Sequence, residues 1–450
     1  MKKATMDLTR GKPLMQILLF AVPLVFGTLF QQLYSFADTV IIGRTLGENA
    51  LGAVGVTYSL NFLVLGFVQG ACVGFGIPLA QSFGGRDTEE MHRFFWNGVY
   101  ICLIISVIMT ALTMLSAYPL LGMIHTPPEL LPAAGDYIMV IFAGLPATVL
   151  YNYTASVLRA LGDSKRPFMA LLISCIQNIF LDLVLICLFG MGVRGAAAAT
   201  VFSQLTSGLI CTWWLFTRTK GFRVCKREAA VSPFHIRKLC TVGLPMGFEY
   251  SVSAIGAVIM QNAINGMGSV IVAAQTAGEK IRQMFTLPME SIGMAMATYT
   301  GQNFGAGRYG RIRSGIRAGL LIQVVYSAAA YAVIFFGKHW LVGLVLGKEG
   351  SALVTDYAVL YLGLISTLFI VHGSLMIFRN TLQGLGYSFQ AVLSGFGELA
   401  GRAFGSLLAV SGLGFTAICF ANPIAWGCAL CYCVTAVMYY MRGFREDGKK

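Results

Sequence analysis

Residues 80–85, AQSFGG, return as GQNFGA at residues 301–306, and in both places they follow a long apolar run. Three further pairs of segments keep nearly the same spacing. They are TLGENALGAV (45–54) with GMGSVIVAAQ (266–275), LRALG (158–162) with LQGLG (382–386), and VPLVFG (22–27) with LPMGFE (244–249). Four matches in the same order and at a nearly constant offset predict that one unit of about half the chain is duplicated.

The composition is that of a membrane protein. Of the 450 residues, 56% are hydrophobic and only 11% are charged, whereas a soluble protein carries roughly a quarter charged residues. Apolar runs of about twenty residues recur along the whole chain, which is the length that crosses a bilayer as a helix. Because lipid offers backbone amides no partners, these runs should be α-helices. The predicted fold class is therefore an all-α polytopic membrane protein.

Twelve transmembrane helices are predicted, six in each copy of the unit. They lie near 14–40, 51–80, 94–117, 136–158, 168–189, 194–217, 239–263, 271–301, 315–337, 354–379, 389–410 and 414–441. Since six is an even number, both copies enter the membrane from the same side, which predicts a parallel repeat with a pseudo-twofold axis along the membrane normal. The predicted organisation is a first six-helix lobe (1–217), a basic linker (218–238) and a second six-helix lobe (239–450).

The net charge of +13 also fits a membrane location. Lys and Arg concentrate in segments at one side of the predicted spans, so we expect both termini to be cytoplasmic and the protein to lie in the cell membrane. A nucleic-acid partner is the other interpretation of a basic chain, but the charge is spread over membrane-edge loops without interleaved aromatic residues. We expect contacts with lipid headgroups, no nucleic acid, and a monomer.

Polar residues inside the first lobe predict an ion site. The first helix, LFQQLYSFADTVIIGR (29–44), places Asp38 in an apolar run. The fifth predicted span would hold Asn178 and Asp182, and the sixth would hold Thr200, at a similar depth. Two carboxylates, an amide oxygen and a hydroxyl suit either Na⁺ or a shared proton. Acidic residues inside a membrane usually have a function, which favours an ion-binding role for Asp38 and Asp182. The alternative is a structural role, in which the two side chains only hydrogen-bond neighbouring helices. Pro23 is expected to kink the first helix.

The second lobe lacks these residues. At the repeat offset Asp38 corresponds to Met260, and Asp182 corresponds to Ser406. Glu398 and Arg402 are four residues apart on one helix, so a structural ion pair is expected. A further charged cluster consists of Glu279, Lys280 and Arg282. These residues could line a cleft or form ion pairs across it, and the sequence leaves both roles open. Glu249, one turn past Pro245, is a candidate for contact with a cationic substrate.

These residues resemble the multidrug and toxic compound extrusion (MATE) family of secondary transporters, in its prokaryotic form. The resemblance extends over essentially the full length and rests on the first-helix pattern, AQSFGGRD, SVLRALGDSKRPF (156–168), the Asn178/Asp182 pair, Thr200 and GQNFGAGR. It implies no enzyme activity and no cofactor, but cation-driven antiport of organic, often cationic compounds, with Na⁺ or H⁺ as coupling ion. It also implies that Asp38, Asn178, Asp182 and Thr200 bind that ion. Gln31, Tyr34 and Asn152 would line the substrate cavity.

Two other functions fit part of the sequence. A lipid-linked oligosaccharide flippase of the same superfamily would share the fold, but such proteins often have additional helices and an arginine-lined cavity. An intramembrane aspartyl protease would also need two membrane aspartates. ALGD (160–163) is similar to the GxGD signature of those enzymes, although Ala160 replaces its first Gly and Asp163 falls in a predicted cytoplasmic turn.

Overall fold

The computed structural model describes residues 5–124, 126–219, 227–347 and 351–444, and it contains no β-strand within those ranges. Residues 220–226 of the predicted linker lie outside them. The helices are α1 (Pro13–Leu46), α2 (Glu48–Gly85), α3 (Thr88–Met123), α4 (Leu131–Ala143), α5 (Leu145–Ala160), α6 (Lys165–Asp182), α7 (Gly192–Arg218), α8 (Pro233–Asn265), α9 (Ser269–Gly305), α10 (Tyr309–Leu346), α11 (Ala352–Ser366), α12 (Phe369–Leu385), α13 (Ser388–Leu408) and α14 (Gly414–Gly443). The all-α class predicted from the sequence is confirmed.

Two of the predicted spans are bent rather than straight. The fourth is divided into α4 and α5, which meet at an angle of 46°, and the tenth into α11 and α12, which meet at 50°. When each bent pair is taken as one element, twelve helical elements correspond to the twelve predicted spans. By length and apolarity alone, seven helices in the described part of the chain can cross a membrane, or up to nine with the bent pairs.

Irregular features of the helices, as well as sequence segments, occur in both copies of the duplicated unit. The bend between α4 and α5 has its counterpart between α11 and α12 in the second copy. A π-helical segment follows α6 at Leu183–Leu188, and another follows α13 at Ala409–Leu413. Single π-helical turns occupy few positions in proteins and frequently mark functional sites. Their recurrence at matching positions supports the duplication predicted from the sequence.

The chain forms two compact units whose bounds differ from those of the predicted lobes. One unit holds 1–7 and 26–250, and the other holds 8–25 and 251–450. Thus α1 passes from the second unit to the first after Val25, two residues beyond Pro23, and α8 passes from the first unit to the second after Tyr250, five residues beyond Pro245. The beginning of each copy's first helix therefore belongs to the unit formed by the other copy.

In the first unit the end of the linker is held by α3. The Asn97 side chain accepts from the Ser232 N–H at 2.9 Å and donates to the Ala230 carbonyl at 3.2 Å. Tyr100 donates to the Ala229 carbonyl at 2.7 Å. These bonds satisfy backbone groups that have no partner in a helix or a strand. They fix the chain just before α8 begins.

In the second unit α13 and α14 pack through small residues. Gly397, Gly401 and Gly405 follow one another at four-residue intervals along α13 and face the backbone of α14. A Cβ at Gly401 would lie 2.5 Å from the Ala425 Cα, and one at Gly405 would lie 2.6 Å from the Ala421 Cα. Small residues at this spacing allow two membrane helices to approach closely, which is where their packing energy comes from.

Gly401→Ala is expected to destabilise the protein by about 1–3 kcal/mol, because the added methyl group forces α13 and α14 apart. Thermal unfolding of the purified protein, followed by size-exclusion chromatography, measures the change. Gly427→Ala on α14 is the matched control, since a Cβ there meets nothing within 4 Å. Equal melting temperatures for the two variants would contradict the close-packing argument.

Candidate ion-binding site

The two membrane aspartates of the first unit meet. Asp38 lies on α1 and is 9% exposed, and Asp182 is the last residue of α6 and is completely buried. Their carboxyl groups are close enough for each to act electrostatically on the other. Two ionised carboxylates at this separation repel each other, so the arrangement is favourable only when a proton or a cation lies between them.

Several oxygens around the pair are buried without a partner. Oδ1 of Asp38, both carboxyl oxygens of Asp182, and Oδ1 of Asn178 have no hydrogen-bond donor among the described residues. Buried polar atoms are nearly always hydrogen-bonded, and the exceptions require an explanation such as an ion or a water molecule. Carboxylate and amide oxygens are the ligands that hard cations prefer. The residues present therefore fit a small cation.

A pocket lies beside the pair. It is small, and residues of α1, α6 and α7 line it. The lining residues are Tyr34, Leu171, Ser174, Cys175, Asn178, Thr200, Ser203, Gln204 and Ser207. Asn178 is one helical turn before Asp182 on the same face of α6, so the pocket and the carboxyl pair are continuous along that face.

The polar groups of the site come from the end of α6 and from the middle of α7. The π-helical segment begins directly after Asp182, and a change in helical pitch displaces the side chains that follow it from the regular helical face. On α7, Thr200 and Gln204 are one turn apart, with Ser203 beside them. The Ser203 hydroxyl and the Gln204 side-chain oxygen are also buried without a partner among the described residues. They extend the oxygen-rich surface of the pocket.

The predicted substrate-contacting residues are not all together. Tyr34 lines the pocket, whereas Gln31, Asn152 and Glu249 do not. Gln31 is exposed, and Asn152 donates to the Thr148 carbonyl of its own helix at 2.9 Å. Glu249 is 8% exposed and belongs to the first unit, although the sequence analysis placed it in the second lobe. A substrate contact for these three residues stays a prediction.

Sequence reasoning missed several residues of this site. Ser203, Gln204 and Ser174 follow Thr200 or precede Asn178 at spacings of three or four, so helical periodicity could have indicated them. Tyr137 on α4 is 7% exposed and lies near Asp38, Tyr34 and Asp182. No sequence spacing connects α4 to these residues, so only the packing of the unit reveals Tyr137.

The charged residues of the second unit form pairs. Glu398 Oε2 lies 3.3 Å from Arg402 Nη2, and the same carboxylate binds Arg379 of α12. Arg282 pairs with Glu279 through two hydrogen bonds, and Tyr361 donates to Glu279 at 2.8 Å. Lys280 is exposed. Glu279 and Arg282 thus pair with each other within α9, which is neither of the two roles that the sequence left open.

The residue that suggested a protease has a structural role. Asp163 lies in the turn before α6, where Oδ1 accepts from the backbone N–H groups of Lys165 and Arg166 at 3.1 Å each. Such bonds satisfy the free N–H groups at the start of a helix. Asp163 has an ion pair with Arg166 at 3.4 Å.

The all-α architecture with its long apolar helices is that of a polytopic membrane protein, and similarity to known proteins identifies its family. The family model MatE matches residues 23–184 and 245–399, so the chain belongs to that family. The chain is 30% identical to the probable multidrug resistance protein YpnP of Bacillus subtilis over 68% of each chain. It is 26% identical to the probable multidrug resistance protein NorM of Thermotoga maritima, over 71% of this chain and 69% of that protein.

Solved structures agree on the fold. A crystal structure of MATE in complex with MaL6 superposes with a TM-score of 0.92 at 22% identity and covers 99% of both chains. An outward-facing MATE transporter superposes with a TM-score of 0.90, covering 98% of this chain and 99% of that one. The predicted family is confirmed, and with it the expectation that the chain is a membrane transporter and not an enzyme.

Proposed function

We propose that this protein is a secondary active multidrug efflux transporter, which exports organic, often cationic compounds in exchange for Na⁺ or H⁺. The relatives described as multidrug resistance proteins support the substrate class. The coupling rests on one observation above all, the pair of buried carboxyl groups with unpartnered oxygens on α1 and α6. In this proposal Asp38, Asn178, Asp182 and Thr200 bind the coupling ion, and no cofactor takes part.

The coupling follows from the different cost of the loaded and empty site. A proton or a cation neutralises the two carboxylates, whereas the empty pair carries two like charges away from water. A ligand shifts a conformational equilibrium by the difference in its affinity for the two states. Binding and release of the ion would therefore drive the alternation between an inward-open and an outward-open state.

Substrate contacts are assigned to Gln31, Tyr34, Asn152 and Glu249. Tyr34 supports this assignment best, because it lines the pocket beside the ion site. A substrate and an ion that share neighbouring residues compete for one region, which is how antiport exchanges one for the other. We further propose that the protein works as a monomer in the cell membrane with both termini in the cytoplasm.

Efflux from proteoliposomes tests the function and separates the two ions. Purified protein is reconstituted with a fluorescent organic cation inside, and Na⁺ and pH gradients are imposed independently. We expect release of the cation only when one of these gradients is directed inward, at a rate several-fold above that of protein-free liposomes. Release that is independent of both gradients would contradict secondary active transport.

A further inference from the structure

A histidine and a glutamate of the second unit lie opposite each other within the membrane region. His372 on α12 is 6% exposed, and neither of its ring nitrogens has a hydrogen-bond partner among the described residues. Glu290 on α9 places its Oε1 3.8 Å from the His372 Nε2, and its side chain is 47% exposed. Glu290 lies fifteen residues before the end of α9, about 22 Å along the axis.

The charged groups around His372 are already paired with one another. Arg282 binds Glu279 on α9, and Arg379 and Arg402 both bind Glu398. The ring of His372 also packs on Trp426 of α14, with centroids 4.6 Å apart. Arg282, Arg379, Arg402 and Glu398 are the charged groups that act on the ring besides Glu290. The Glu290 side chain is thus the hydrogen-bonding partner left for His372 among the charged groups named here.

The separation of 3.8 Å is too long for a hydrogen bond, which needs about 2.7–3.2 Å between nitrogen and oxygen. One added proton changes this. A protonated Glu290 would donate to Nε2 of a neutral imidazole, and its carboxyl group would no longer be charged within the membrane region. Burial and the three nearby guanidinium groups both oppose a positive charge on the imidazole. Arg282 and Arg379 also favour an ionised Glu290, but burial opposes that charge more strongly. The carboxyl group is therefore the better location for the proton.

We propose that Glu290 and His372 bind one proton in the second unit, held on the Glu290 carboxyl group and donated to His372 Nε2. This site is separate from the carboxyl pair of the first unit. At the repeat offset the first unit has Gln69 and Thr148 at these two positions, neither of which titrates. Proton binding would draw α9 and α12 together, and its contribution to ion coupling rests on the function proposed above.

Infrared difference spectroscopy tests proton binding without any transport measurement. Spectra of the full-length protein in lipid nanodiscs are recorded at about pH 6, where exposed carboxyl groups are ionised, and at alkaline pH, in an Asp38→Asn/Asp182→Asn background that removes the carboxyl pair of the first unit. We expect an absorption band of a protonated carboxyl group in the acidic sample. It should disappear in Glu290→Gln and shift in His372→Gln, because the O–H group loses its acceptor.

Matched controls are Glu48→Gln and His339→Gln, which change exposed residues of the same types and should leave the band unchanged. A band that persists in Glu290→Gln, or that is unaltered by His372→Gln, would overturn the proposal. If efflux is absent but the band behaves as expected, the proposed function fails and the proton site stands. If efflux is present and the band is insensitive to both substitutions, the proposed function stands and the proton site fails.

Discussion

Asp38→Asn and Asp182→Asn should each reduce gradient-driven efflux to the rate of protein-free liposomes. An asparagine keeps the size of the side chain but cannot carry the negative charge that attracts a cation or the proton that a carboxylate takes up. With one carboxylate left, there is no like-charge repulsion for the ion to relieve. The measurement is efflux of a fluorescent cation from proteoliposomes under an inward Na⁺ or H⁺ gradient, normalised to the amount of reconstituted protein.

Asp136→Asn is the matched control, since Asp136 forms an exposed ion pair with Arg194 in which the two side chains are 35% and 61% exposed. Surface ion pairs contribute little to stability, so this variant should transport like the parent protein. Size-exclusion profiles should show that all three variants remain folded. Efflux above about half the parent rate in either Asp38→Asn or Asp182→Asn would contradict the coupling role of the carboxyl pair.

Arg379→Met should destabilise the second unit by about 3–5 kcal/mol, the cost of removing one partner from a buried ion pair. Arg379 is 6% exposed; it binds the Glu398 carboxylate and donates to the Ser394 hydroxyl at 3.0 Å. After the substitution Arg402 is the ion-pair partner that Glu398 keeps among the described residues. Thermal unfolding in detergent should show a large decrease in melting temperature and a low yield of monodisperse protein.

The control for this prediction applies the same substitution to an exposed pair. Arg194→Met removes the partner of Asp136, and the expected loss is about 0–1 kcal/mol because water screens both charges. If Arg379→Met unfolds at the same temperature as Arg194→Met, the buried network does not stabilise the second unit. The comparison separates the effect of burial from that of losing an arginine.

Part of the ion site could be predicted from the sequence because its residues lie at helical spacings. Asn178 and Asp182 are one turn apart, and the scarcity of acids in the apolar runs draws attention to Asp38. Tyr137 could not be predicted, since it reaches the site through the packing of another helix. The same limit applies to Glu398: the four-residue rule indicated Arg402, but Arg379 comes from a different helix.

The helices were predicted well and their irregularities were not. Apolar runs indicate where a span lies, because lipid selects for them along its whole length. The bend between α4 and α5 has a local signal in Gly144 and Pro146, since proline is tolerated only in the first turn of a helix. The bend between α11 and α12 has neither glycine nor proline in its sequence, STLF (366–369), so no local signal of that kind marks it.

The first part of α1 belongs to the second unit, and the first part of α8 belongs to the first unit. This arrangement has a consequence for the synthesis of the protein. During synthesis the first unit cannot be completed when its own six-helix repeat has emerged, because it also includes the start of α8, up to Tyr250. Conversely, residues 8–25 must wait for more than two hundred later residues before the rest of their unit exists. If the gene is divided within the linker, each of the two fragments carries a segment that belongs to the unit of the other fragment. Neither fragment then contains all the residues of one unit.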